Sequence, residues 1–360
     1  MAVGLPLKTT YANGDVFSAS DVNDTNGTIN LFQTSTLSAQ AGKNAVINGG
    51  MDIWQRGTSF TTSNNQYTAD RLQYYNNGAN FTVSQQTATV PTGFQYYARW
   101  QRNSGSTSTT ASYLGMNLET KDSLRFAGQT ITFSFYARKG ANYSGASSNL
   151  ALNISSGTGT DQNNISGAFT GATVLTNTTA TLTTSFQRFT YTVTVGSTAT
   201  QLGFYWTFTG VGTAGAADYV EITGIQMELG SYATTFSRAG GTIQGELAAC
   251  QRYTQVWPPI AGTANAQPIT SCSYYSSTLG FAVFPLPVEM RVAPATTFNT
   301  ASAYIIYANS TNKAATAISL DQANTRTIFV DVTTSAATAG FAGMLAAATT
   351  SGYIILSSEL

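Results

Sequence analysis

Between residues 131 and 229 apolar and polar side chains take turns. Ile131, Phe133, Phe135 and Ala137 alternate with Thr132, Ser134, Tyr136 and Arg138. Leu150, Leu152 and Ile154 keep the same period. Phe189, Tyr191, Val193 and Val195 alternate with Arg188, Thr190, Thr192 and Thr194, and Leu202, Phe204, Trp206 and Phe208 alternate with Gly203, Tyr205, Thr207 and Thr209. A period of two sends one face of a strand to a core and leaves the other wet. Near the end of the region Val220 and Ile222 lie on one parity, and Ile225, Met227 and Leu229 on the other. The switch falls at Gly224, which predicts a bulge there. Gly-, Ser- and Asn-rich stretches such as 155–166 join the strands, so residues 44–240 read as an antiparallel β-sandwich.

The flanks read differently. Residues 1–43 hold one short helix signal: Ser18 as N-cap with Asp21 reaching back, then Val22, Thr25, Ile29 and Phe32 at a/d spacing. Gly27 weakens it, and a lone helix of this length is marginal in water. It must pack on copies of itself or on its own sandwich, which makes Val22, Ile29 and Phe32 the candidate oligomerisation or docking positions. In residues 241–360 a helical turn is expected over 246–253, a break at Pro258-Pro259, and strands over 273–284, 302–307, 327–332 and 353–356. Pro285, Pro287 and Pro294 suit an edge or crossover rather than a central strand. The expected fold is therefore all-β: an N-terminal segment with a short helix, a sandwich, and a second, smaller C-terminal β-sandwich.

Composition narrows the function. Of 360 residues, 42% are hydrophobic and 12% aromatic, enough for packed cores, while only 9% are charged and the net charge is zero. So few charges protect a monomer poorly against self-association, which favours an oligomer or an exterior of hydroxyls and amides. Neutrality argues against nucleic acid and anionic membrane as partners. No apolar run approaches a membrane span, and the first ten residues lack the pattern of a signal peptide, so a soluble chain is expected. Histidine is absent, which removes His-dependent triads, bases and zinc sites. Cys250 and Cys272 read as two free buried thiols, a disulfide between them being the alternative.

Three passages resemble bacteriophage tail-fibre and related virion proteins. The first is Thr9-Thr10-Tyr11-Ala12-Asn13-Gly14-Asp15-Val16 with Ala19-Ser20-Asp21-Val22-Asn23, similar to the virion-proximal start of such chains. The second is Asn48-Gly49-Gly50-Met51-Asp52-Ile53-Trp54-Gln55-Arg56-Gly57 with Tyr67-Thr68-Ala69-Asp70-Arg71, similar to the opening of their jelly-roll, carbohydrate-binding-module-like domains. The third, Ile222-Thr223-Gly224-Ile225-Gln226-Met227-Glu228-Leu229-Gly230 followed by 246–253, resembles the close of that domain. The resemblance implies a jelly roll over 44–240, a homotrimer, other virion proteins as partners and location on a virion assembled in the host cytoplasm. It does not imply which appendage, since fibre, tail-tip and head-fibre proteins share such modules.

Candidate sites follow from both readings. Sugar recognition needs aromatic faces beside orienting polar groups. Tyr136 and Tyr205 lie on the polar parity of their strands and are the glycan-binding candidates, unless a second sheet or a neighbouring subunit covers that face. Trp54, Arg56, Asp70 and Arg71 read as a structural motif, with an Asp70–Arg56 pair stitching the first strand to a crossing segment. Asp52, Asp218, Glu221 and Glu228 fall in the terminal strands, where related modules often hold a structural calcium, and no other cofactor is expected. The expected role is non-enzymatic: an appendage subunit that docks by its N-terminus and presents β-modules to host surface glycans. The alternatives are a head-fibre, decoration or tail-tip protein that binds other virion proteins, and a glycan depolymerase with a carboxylate pair.

Overall fold

A computed structural model of the chain describes residues 42–360 apart from 62–63, 77, 79–80, 259–266, 336 and 351. Val22, Ile29 and Phe32, with the helix and docking segment expected around them, lie outside the described residues.

The alternating stretches are strands. In chain order they are β1 (Ser59–Thr61), β2 (Gln66–Tyr67), β3 (Gln73–Asn76), β4 (Phe81–Gln86), β5 (Tyr97–Arg102), β6 (Ser112–Asn117), β7 (Thr130–Lys139), β8 (Asn149–Gly157), β9 (Thr173–Thr181), β10 (Gln187–Thr194), β11 (Gln201–Phe208) and β12 (Tyr219–Leu229). They form two six-stranded antiparallel sheets, ordered β1-β4-β5-β12-β7-β10 and β2-β3-β6-β11-β8-β9. Their inner faces meet in one core, where Ile131, Phe133, Phe135, Leu152, Phe204 and Trp206 are fully buried. Phe133 packs on Phe204 at 4.6 Å between ring centroids, and Phe135 meets Trp206 edge-on at 5.0 Å. Each such side chain contributes roughly 1.5–3 kcal/mol by leaving water.

The bulge falls where the parity switches. The β12–β7 register shifts between Thr223 and Gln226, with Gly224 at φ +62° between them. A Cβ at Gly224 would stand 2.6 Å from Phe94 and 2.8 Å from Tyr136, so both backbone and space require glycine. Outward-facing polar residues of the first sheet are buried under the chain's own loops and are paired there. Glu221 lies between Arg99 and Arg138, and Glu228 accepts from Gln226 and Thr234.

The C-terminal part begins with a helix, Ile243–Gln251, which Thr242 caps by accepting from the Gly245 N–H at 3.1 Å. Strands follow: β13 (Thr254–Trp257), β14 (Gln267–Tyr274), β15 (Leu279–Pro285), β16 (Ala295–Phe298), β17 (Tyr304–Ala308), β18 (Thr311–Ala323), β19 (Thr327–Thr334), β20 (Ala342–Ala347) and β21 (Ile354–Ser357). This region is all-β, as expected, but its main sheet closes on itself in place of two facing sheets. The barrel order is β14-β15-β19-β18-β17-β20, and β14 pairs with β20 to remove the last edge. A three-stranded sheet, β13-β21-β16, packs Ile354 and Leu356 against the barrel core. The stretch 273–284 contains a hairpin, so it belongs to two strands. The prolines fall where expected: Pro285 ends β15, and Pro287 and Pro294 lie in the crossover to β16. Cys250 and Cys272 are both free and buried, and burial pushes the Cys272 thiol up to about 11.

Candidate functional site

Strand register assembles a platform on the outer face of the second sandwich sheet. Gln73 of β3 pairs with Gly115 of β6, Gly115 with Tyr205 of β11, Tyr205 with Asn153 of β8, and Asn153 with Asn177 of β9. One row therefore crosses five strands, about 19 Å at ~4.8 Å per strand. The next row holds Tyr75 opposite Tyr113, then Thr207, Ala151 and Thr179. Every one of these side chains points away from the core by the period of two.

Three rings form a continuous stripe across the two rows. Tyr75 and Tyr113 lie 6.1 Å apart, and Tyr113 meets Tyr205 edge-on at 5.5 Å. All three are half-buried. Burial first, and the neighbouring Tyr113 second, raise the Tyr205 hydroxyl above its ordinary pKa, so that ring is neutral around pH 7. Gly115 lies beneath it: a Cβ there would stand 2.1 Å from the Phe204 carbonyl and 2.7 Å from the Tyr205 Cβ. The absence of a side chain lets β6 and β11 approach beneath the Tyr205 ring.

A loop, 158–172, walls one end. Phe169 is buried against Gly157 and Gly203, while Asn163 donates to Gln73 at 2.8 Å and the Asn164 N–H to Asn117 at 3.1 Å. Beside the stripe, the Asn153 side-chain oxygen Oδ1 accepts from the Ser155 hydroxyl at 2.6 Å. The named residues of both rows include no Asp, Glu, Lys or Arg. A face of tyrosine rings, amides and hydroxyls offers CH–π contact and neutral hydrogen bonds to a polar, uncharged ligand.

The other sequence candidates divide. Tyr136 lies on the opposite sheet and is engaged: Phe94 packs on it at 5.4 Å, and the Arg188 guanidinium lies 5.7 Å from its ring. Phe236 extends that cover at 4.9 Å from Phe94. The four carboxylates considered for calcium are not brought together. Asp52 pairs with Arg238 at 2.8 Å, Asp218 with Arg102 at 2.8 Å, Glu221 with two arginines and Glu228 with Lys43 at 3.6 Å. Among the described residues no three acidic, Cys or His side chains cluster.

The Asp70–Arg56 pair is replaced by a different connection. Asp70 accepts from the Gln55 N–H at 3.0 Å and from its side-chain amide at 2.5 Å. Arg56 instead reaches Glu359 at 2.9 Å and the Thr254 hydroxyl, and Arg71 reaches the same Glu359. Arg71 also lies over the Tyr253 ring at 3.7 Å. The Glu359 side chain is only 5% exposed; burial alone would raise its carboxyl, yet the guanidiniums of Arg71 and Arg56 outweigh burial and hold it below the usual range. Trp54 donates to the Met51 carbonyl at 2.8 Å and stacks on Phe60. The motif thus fastens the C-terminal strands to the sandwich. The Glu119–Arg252 and Asp161–Arg291 pairs extend this seam. Its partner, Glu359, stands about 300 residues away by sequence, beyond the reach of local spacing. Tyr75 falls in an aromatic-rich group, with Tyr74, Tyr96, Tyr97 and Trp100, that reads mostly as core, and Tyr113 is not singled out; their odd parity beside Tyr74 and Leu114 was the available signal.

No family model and no curated protein matches the chain. Solved structures with some likeness include the tailspike protein 4 enzymatically active domain of Bacteriophage CBA120, at 12% identity and TM-score 0.32, covering 52% of this chain and 21% of that one. A CBM4 structure aligns at 16% identity and TM-score 0.31, covering 51% of this chain and 100% of the module. TmCBM61, solved in complex with beta-1,4-galactotriose, aligns at 11% and 0.31, covering 52% and 99%. This chain thus spans about a fifth of the tailspike domain's length. At such scores none of the three bears on what this chain binds.

Proposed function

We propose that the chain is a non-catalytic glycan-binding subunit, and that its platform is the outer face of the sheet β2-β3-β6-β11-β8-β9. The observation that carries this is the Tyr75–Tyr113–Tyr205 stripe, three rings in contact on a face of amides and hydroxyls. Buried aromatic stripes belong to cores; a half-buried one on a polar sheet face suits a ligand with both an apolar and a hydroxylated side. A pyranose ring is such a ligand. Gln73, at one end of the row, is buried under the loop 158–172, so the surface offered to a neutral sugar runs from the tyrosine stripe towards Asn177.

Pairing of carboxylates supports the non-catalytic reading. Glycosidic cleavage needs two carboxyl groups, one of them free to give a proton. Near the platform Asp161 accepts from the Thr120 N–H at 2.9 Å and pairs with Arg291 at 3.1 Å, and Glu119 is held by Arg252 and Tyr253.

Placement on a virion, assembly as a homotrimer and docking through residues 1–43 belong to the same proposal and rest on the sequence passages that resemble tail-fibre proteins. Multiple copies on one particle would turn weak single-sugar contacts into avidity. The test is glycan-array binding by the purified chain, with its mass in solution recorded. Binding to neutral glycans by a trimer supports the proposal. A chain that assembles, binds no glycan and binds another virion protein overturns it in favour of a decoration role.

A further inference from the structure

We infer that a groove along β16 is a second saccharide site, separate from the tyrosine platform, and that it takes an uncharged oligosaccharide lengthwise. Among the described residues β16 is an edge of the three-stranded sheet, paired with β21 alone. Two hollows lie along it. A cleft of about 530 Å³ separates this sheet from β1 and β2 of the sandwich, and a smaller hollow of about 240 Å³ lies past the end of β16. The cleft by itself falls within the ~300–1,000 Å³ typical of small-ligand sites. Thr297 lines the cleft and Asn299 the hollow. Two residues apart on extended chain, they are separated by roughly 7 Å. The Asn299 N–H donates to the Tyr304 hydroxyl at 3.1 Å, and that hydroxyl donates at 2.5 Å to the carbonyl of Tyr353, which lines the cleft. The two hollows are thus fixed to each other as successive stations of one groove.

The cleft supplies aromatic faces and the hollow supplies hydrogen bonds. On the sandwich wall Phe60 is half-buried and backed by Trp54, with ring centroids 6.3 Å apart. On the facing wall the alternation of β21 sends Ile354 and Leu356 into the barrel core and leaves Tyr353 and Ile355 facing the cleft, with Thr297 paired opposite Ile355. Asn299, Thr300, Ser302 and Thr349 line the hollow with one amide and three hydroxyls. Arg56 is the one charged residue lining either hollow. Its side chain is 9% exposed, its Nη2 serves Thr254 and Glu359, and its Nη1 is enclosed by protein. The groove therefore offers a ligand no charge. A chain of neutral pyranose units matches it, with an apolar ring face between Phe60 and Tyr353 and hydroxyls on Asn299 and its neighbours.

The test is calorimetric titration of the intact chain carrying Tyr205→Ala, which disables the platform, with malto-, cello-, galacto- and mannopentaose and with the corresponding monosaccharides. At least one pentaose is expected to bind tenfold or more tightly than its monosaccharide. That binding should disappear when Thr297→Trp, which fills the cleft, or Tyr353→Ala is added, and should weaken severalfold with Asn299→Ala, which alters the hollow alone. Binding of no pentaose would overturn the inference. So would equal affinity for pentaose and monosaccharide, or pentaose binding that survives both cleft variants. Failure of the platform is read separately: a wild-type chain and a Tyr205→Ala chain that bind one pentaose alike, with loss only in the cleft variants, would uphold the groove and remove the platform.

Discussion

Tyr205 and Tyr136 illustrate what a single residue's parity can and cannot say. Both occupy polar positions of alternating strands, so the sequence marks both as outward-facing. Tyr205 shares its face with Tyr113, Tyr75 and neutral amides, whereas Tyr136 is covered by Phe94 and Arg188. What covers a face depends on loops distant in sequence, and alternation carries no information about them. The same limit applies to Arg56, whose partner Glu359 is set by the docking of the C-terminal strands. The acidic candidates Asp52, Asp218, Glu221 and Glu228 each have a cation of their own, so a calcium ion is not needed to neutralise them. A chelator is therefore expected to leave the melting temperature unchanged; a fall of several degrees, restored by calcium, would contradict this.

At the scale of elements, β7, β8, β10, β11 and β12 were legible because large side chains write the period clearly, and the parity switch located the bulge at Gly224. β18 and β20 were not legible. β18 turns Ala315, Ile318, Leu320 and Ala323 inward, but two register shifts break their period, and β20 offers mainly Leu345 among alanines, so closure of the barrel rather than a clear alternation buries them. Gly224→Ala should test the bulge. The positive φ and the contacts with Phe94 and Tyr136 predict a loss of about 1–3 kcal/mol, read as a lower denaturant midpoint. An unchanged midpoint would mean that the register can shift without penalty. Gly115→Ala should act on function as well, pushing β6 from β11 under the tyrosine stripe and weakening sugar binding even where the chain stays folded.

For the whole molecule, the seam is the feature most sensitive to pH. Glu359, Glu119 and Asp161 each join the sandwich to the C-terminal part, and each has its carboxyl held below the usual range. For all three, burial opposes that shift, and the outweighing causes are the guanidiniums of Arg71 and Arg56 for Glu359, hydrogen bonds from Arg252 and Tyr253 for Glu119, and those from Thr120 for Asp161. A depressed carboxyl contributes stability that is complete above its unfolded value, about 4, and is lost as pH falls through the folded value. Asp70 and Glu246, raised by burial, act with the opposite sign, so the melting temperature alone will blur the effect. Hydrogen exchange resolved by segment should separate them: on acidification below pH 4, β13 and residues 357–360 should lose protection before the sandwich core does. Simultaneous loss would argue against a seam held by these pairs. The central claim concerns the platform, and the measurement that tests it most directly is calorimetric affinity for a neutral oligosaccharide identified on an array, compared among the wild-type chain, Tyr205→Ala, Tyr113→Ala and Tyr136→Ala. Each of the first two variants is expected to bind about tenfold more weakly, the ~1.4 kcal/mol of one lost aromatic contact, while Tyr136→Ala binds as the wild type does. Unchanged affinity in both platform variants, or a loss confined to Tyr136→Ala, would contradict it.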